Sequence, residues 1–162
     1  MKAIIVYDTK HGTSKLVAER VAEAIKGKGG QAELLNLRTQ DAPELGAYDA
    51  IAIGGPFYMG QWSKRARSFA SANSAVLAGK AIGLFSVGTN PELDDATARA
   101  SLPASVAAAV SASAHVGGRI QFKKLCRLEQ FIVKKVTGKA EDSSTLDLDA
   151  ADALGATLAA QA

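Results

Sequence analysis

The stretch KAIIVYDTKHGTSKL, residues 2–16, contains the change of period on which the fold turns. Lys2–Tyr7 is a short apolar run of the kind that forms a strand buried on one or both faces. Beyond it Val17, Val21 and Ile25, backed by Leu16, recur at helical spacing, with Lys15, Glu19, Glu23 and Lys26 turned the other way. Where strand hands over to helix stand the hydroxyls of Thr9, Thr13 and Ser14 and a single glycine, Gly12. A helix N-terminus offers unpaired N–H groups and a partial positive charge, so such a turn can hold a phosphate without any lysine. An ordinary strand-to-helix turn with Thr13 as N-cap is the alternative.

The same alternation continues outward. Residues 32–37, 48–53, 81–87 and 113–117 read as further strands bounded by Gly, Asp or Pro. Gly27, Gly29 and Gly30 end the first helix, and residues 62–77, 102–110, 125–136 and 148–160 read as helices, the last capped by Asp147 or Asp149. Strands alternating with helices imply right-handed crossovers, hence an α/β fold with a parallel sheet and helices on both faces. At 162 residues and 48% apolar composition the chain is expected to form one domain, residues 1–162. The opening apolar run is too short for a signal peptide, and nowhere are there about 18 uninterrupted apolar residues. A soluble cytoplasmic protein is expected. Cys126, the sole cysteine, excludes an intramolecular disulfide and a cysteine-built metal site, and reads as a small buried hydrophobe.

Ligands of such sheets bind at the carboxyl ends of the strands, where strand order reverses. Two more loops belong at that edge. GGPFYMGQW, residues 54–62, carries the rings Phe57, Tyr58 and Trp62 on a Gly/Pro-constrained segment, which suits a flat aromatic ligand. Packing of each ring under the next helix is the alternative. SVGTNPE, residues 86–92, has small residues whose amides are free for the edge of a heterocycle. The G-x-G-x-x-G of dinucleotide folds and the G-K-[ST] of triphosphatases are both missing, which argues against NAD and ATP.

Thr9-Lys10-His11-Gly12-Thr13-Ser14 resembles the phosphate loop T/S-x-T-G-x-T of the flavodoxin superfamily, departing from it at His11, where a hydroxyl is usual. The resemblance runs over essentially the whole chain. It implies a doubly wound five-stranded parallel sheet of order 2-1-3-4-5 and FMN as cofactor. On it, Thr9, Gly12, Thr13 and Ser14 hold the ribityl phosphate, with Lys10 and His11 in the same loop and His11 giving a charge-assisted contact. Pro56, Phe57, Tyr58, Met59 and Gly60 cover one face of the isoalloxazine, and Ser86, Val87, Gly88 and Thr89 meet its pyrimidine edge. No catalytic side chain and no metal site is expected.

GGRIQFKKLCRLEQFIVKKV, residues 117–136, is similar to the corresponding part of menaquinone-dependent protoporphyrinogen dehydrogenases and the small flavodoxin-domain proteins grouped with them. The chain departs from that branch between Thr89 and Ala112, an Ala-rich segment acidic at Glu92, Asp94 and Asp95, where the branch carries a longer, basic and aromatic insertion. From Arg119 to Lys139 seven basic residues face one acid, Glu129, a local charge of +6 in a chain of net +3. A solvated helix face is the default for such a run; its functional reading is weak attraction to an anionic membrane surface through Lys124, Arg127, Lys134 and Lys135, with peripheral contact at the inner face. Leu125, Leu128, Ile132 and Val136 are expected to bury an apolar stripe beneath those charges. Nucleic acid is not expected, because the aromatics lie away from the basic strip. The expected function is electron carriage through FMN to a redox partner protein or quinone; the alternative is a quinone-dependent oxidoreductase acting on protoporphyrinogen.

Overall fold

The computed structural model describes residues 1–88 and 95–162. Thr89, Glu92 and Asp94, named above, lie outside them. Five parallel strands form the sheet: β1 (Lys2–Tyr7), β2 (Gln31–Asn36), β3 (Ala50–Tyr58), β4 (Ala81–Val87) and β5 (Val110–His115), in the order β2-β1-β3-β4-β5. This is the order 2-1-3-4-5, so strand order reverses at β1. The register runs Ala3↔Ala50 through Tyr7↔Gly54 between β1 and β3, and Ala50↔Ala81 through Pro56↔Val87 between β3 and β4.

Alternation along each strand feeds two cores. Ile4, Val6, Ile51, Ile53, Ile82 and Leu84 point to one face, covered by Phe69 of α2 (Lys64–Ala72), Leu77 and Val106. Ile5, Ala52 and Phe85 point to the other, covered by Val17, Val21 and Ile25 of α1 (Thr13–Gly27) and by Leu154 and Leu158 of the C-terminal helix, Leu148–Gln161. Helices therefore cover both faces, as the sequence implied. The C-terminal helix is capped by Asp147, whose carboxylate accepts the amide of Ala150 at 3.1 Å.

Several elements differ from expectation for physical reasons. β3 runs five residues past Ile53 because β1 ends at Tyr7, leaving Pro56 with no β1 neighbour whose ladder its missing N–H would break. The helix expected over 62–77 breaks at Asn73 into α2 and Ser74–Leu77. Residues 102–110 hold a shorter helix, Ala104–Ala109, beginning after Pro103, and the fifth strand starts at Val110 rather than 113. Arg119–Ile120 and Ser143–Ser144 pair antiparallel, enclosing the amphipathic helix α3 (Arg127–Thr137).

The largest correction concerns α3. No residue of this helix is buried: Leu128, Ile132 and Val136 are 68%, 50% and 79% exposed, while Leu125 before it is half-buried. The expected apolar stripe exists but faces outward. The inward side is made by Glu129, Gln130 and Val133, and Gln130 Nε2 donates to the carbonyls of Phe122 and Leu125 at 3.2 and 3.0 Å. Cys126, expected in the core, is exposed at the N-cap of this helix.

Candidate cofactor site

The β1–α1 turn is built around Gly12, which occupies the N-cap of α1 with φ +87°. That left-handed conformation is strained for any side chain, and an ideal Cβ there would have no atom within 4 Å, so the backbone stands open on that side. Thr13 is thus the first helical residue and not the N-cap. Thr9 Oγ1 accepts the Gly12 amide at 2.9 Å, and the first intrahelical bond runs from the Leu16 amide to the Gly12 carbonyl at 3.1 Å. The amides of Thr13, Ser14 and Lys15 have no intrahelical acceptor. The side chains of Thr13 and Ser14 are buried, so what this turn leaves unpaired is backbone N–H.

Charge around the loop is organised by two carboxylates that sequence reasoning passed over. Asp8, 2% exposed, accepts Arg38 Nε at 2.6 Å, while its amide donates to the Gly54 carbonyl at 3.1 Å, tying the loop to the ends of β2 and β3. Glu129, on the first turn of α3, accepts from Lys10 Nζ, lies 3.3 Å from His11 Nε2 and accepts the Cys126 amide at 3.0 Å. Lys10 foremost, then that amide, hold the Glu129 carboxyl down at about 2. Lys10 is raised in return, chiefly by the same bond. Lys10 and His11 therefore have a protein partner of their own. The signal for Asp8 was a polar residue directly after a buried strand; nothing in the spacing pointed to Glu129, 118 residues beyond His11.

The β3 segment ends in a hairpin. Phe57 pairs with Trp62 and Tyr58 with Gln61, leaving Met59 and Gly60 as a two-residue turn with φ +52° and +74°. Both signs are those of the type I′ turn that suits strand twist, and Met59 is the one non-glycine among the described residues held at positive φ. The strand period of two separates the rings. Phe57 is 4% exposed and meets Trp62 edge-on at 5.2 Å, and Trp62 Nε1 donates to the Ala98 carbonyl at 2.8 Å. Those two rings are core, so Phe57 has only its backbone to offer a ligand. Tyr58 is 68% exposed; its hydroxyl is pushed above its ordinary pKa by partial burial first and by the Glu129 charge second. Pro56 lies beside Val87 on the β3–β4 ladder.

At the end of β4, Ser86 and Val87 are buried and Ser86 Oγ lies 2.8 Å from His115 Nδ1. The Gly88 amide, expected to be free, donates to the Gly117 carbonyl at 2.9 Å, and an added Cβ would meet the Phe57 carbonyl oxygen at 2.9 Å. The groups brought together are thus the β1 turn, the β3 hairpin and the β4 end, all at carboxyl ends of strands beside the switch point.

Residues 4–147 match the family model described as flavodoxin domain. Among curated proteins, the protoporphyrinogen IX dehydrogenase [quinone] of Escherichia coli (strain K12) is 25% identical over 87 residues, 54% of this chain and 48% of that one. The chain thus spans about half the length of the curated relatives it matches. Among solved structures, the flavodoxin of Streptococcus pneumonia TIGR4 superposes with a TM-score of 0.63 at 17% identity over the whole of both chains. The flavodoxin, WrbA-like protein from Agrobacterium tumefaciens gives 0.62 at 22% identity, over 98% of this chain and 95% of that one.

Proposed function

The chain belongs to the flavodoxin domain family, and from that premise we propose that it is an FMN-binding redox protein, residues 1–162 acting as one unit. Flavodoxin domains bind FMN, which supplies reversible uptake and release of one or two electrons. The residues present fit the group. Thr9, Gly12, Thr13 and Ser14 hold its phosphate, Lys10 and His11 stand beside that phosphate with Glu129 paired to Lys10, and Pro56–Gly60 present Tyr58 to one ring face. Ser86, Val87 and Gly88 line the edge. One observation carries the reading: a left-handed Gly12 leaves open space above three amides that have no acceptor within their helix.

Partners are a redox protein or a quinone, with weak contact to an anionic membrane surface through Lys124, Arg127, Lys134 and Lys135. That contact is proposed as peripheral, at the inner membrane face; no helix among the described residues is long and apolar enough to cross a membrane. The relative named a quinone-linked dehydrogenase favours a second reading, in which protoporphyrinogen is oxidised and its electrons pass through the cofactor to a quinone. Purified protein should be yellow and release FMN, not FAD, on denaturation. Gly12→Val, which puts a β-branched residue at φ +87°, should lose FMN while keeping its far-ultraviolet spectrum. A colourless protein that takes up no FMN overturns the reading. Anaerobic reoxidation of the reduced protein by menaquinone, against a protein acceptor, separates the two readings; turnover with protoporphyrinogen plus menaquinone supports the second.

A further inference from the structure

Four large apolar side chains of α3, Leu128, Phe131, Ile132 and Val136, are exposed at 68%, 64%, 50% and 79%. At 100° per residue, Phe131, Leu128, Ile132 and Val136 form one continuous arc, with Lys135 inside it between Phe131 and Leu128, and Arg127 and Lys134 along one flank. Lys123, Lys124, Arg127, Lys134 and Lys135 are all exposed, and none is ion-paired to a described acidic residue. The helix's only acid, Glu129, is turned inward to Lys10 and His11. The outward face is therefore apolar and cationic with no negative charge.

We propose that α3 is an interfacial membrane helix whose Leu128, Phe131, Ile132 and Val136 insert into the acyl boundary of an anionic bilayer, with Lys124, Arg127, Lys134 and Lys135 at the headgroups. This rests on the peripheral contact proposed above and changes its nature, from charge attraction alone to apolar insertion. Charge complementarity selects the occupant. A second copy of this chain would set Arg127, Lys134 and Lys135 against their own like, and a bilayer of anionic lipid supplies both an apolar layer and carboxylate- or phosphate-bearing headgroups in every orientation. Lys135 reaches the headgroups by extending its apolar stem along the helix. The helix meets the body through Glu129, which pairs with Lys10 and lies beside His11, so docking holds the β1–α1 loop near the membrane face, where an acceptor dissolved in the bilayer arrives.

The test uses the full chain with vesicles of phosphatidylcholine alone or mixed with phosphatidylglycerol. Because Trp62, the only tryptophan, is 2% exposed, Phe131→Trp adds a reporter at the proposed depth. Expected are a blue-shifted emission from that tryptophan on the mixed vesicles, quenching by lipids brominated in the upper acyl chain, and a bound fraction that survives high salt. The double variant Phe131→Ser, Ile132→Ser should partition about tenfold more weakly with FMN content and far-ultraviolet spectrum unchanged. Binding that high salt abolishes completely, with the double variant matching the parent, overturns insertion and leaves the electrostatic contact standing. No binding to mixed vesicles overturns both, and a Phe131-dependent dimer in sedimentation overturns the choice of a bilayer; the FMN reading is judged separately by colour and released cofactor.

Discussion

At the scale of single residues, neighbours in sequence have opposite duties. Phe57 and Tyr58 sit side by side on β3, and the pleat sends one ring into the core and the other to the surface. Tyr58→Ala should therefore weaken FMN binding, by up to about tenfold since ring stacking is worth roughly 0.5–1.5 kcal/mol, with the melting temperature of the apoprotein unchanged. Trp62→Ala should do the reverse. It deletes a buried ring and the 2.8 Å bond to Ala98, costing about 3–5 kcal/mol of stability. Titration of the apoprotein with FMN and thermal denaturation of both variants check the pair; equal effects on binding would place the flavin elsewhere.

At the scale of elements, periodicity told which segments are strand or helix but not what covers them. β1 and β4 were legible to the residue because an apolar run between polar or glycine neighbours has one reading, whereas the end of β3 was hidden under Gly54, Gly55 and Pro56, which read as a loop. Gly54 is required there by packing, since a Cβ would lie 2.4 Å from the Phe85 ring. The stripe of α3 was visible in its spacing, yet spacing cannot say whether protein or something else lies against it. The site divides the same way: the tight β1–α1 turn was legible from Gly12, which takes its N-cap, while Asp8 and Glu129 act across distances no local pattern records. Helix contact shows how little slack the fold has. Gly155 lies where the C-terminal helix crosses α1, and a Cβ would come within 2.6 Å of the Val21 carbonyl oxygen. Gly155→Ala gains about 1 kcal/mol of helix propensity but must push two backbones apart at a cost of about 1–3 kcal/mol. A lower urea midpoint with unchanged slope is expected; a raised midpoint would mean the helices separate freely.

At the scale of the whole molecule, the sheet with its two helical layers and the basic hairpin with α3 are held by different forces. The first is dry and apolar, with Ile4, Ile5, Ile51, Ile53 and Phe85 almost fully buried. The second meets the β1–α1 loop through Glu129, and no residue of α3 is buried. The two parts should therefore separate with pH. Lys10 holds the Glu129 carboxyl at about 2, below its ordinary 4.5, so the contribution of this carboxylate is complete above about pH 4.5 and is lost as pH falls towards 2. Lys10 stays protonated throughout that window, so the loss follows Glu129 alone. Hydrogen exchange expressed as protection factors, which removes the intrinsic pH dependence of exchange, should show α3 losing protection between pH 4.5 and 2 while β1, β3 and β4 keep theirs. Glu129→Gln, which keeps the shape of the side chain and removes its charge, should show the lowered α3 protection already at neutral pH and no further loss in the acid window. Protection in α3 that follows the sheet down together, or a Glu129→Gln variant indistinguishable from the parent at neutral pH, would mean that the ion pair does not hold this helix to the β1–α1 loop.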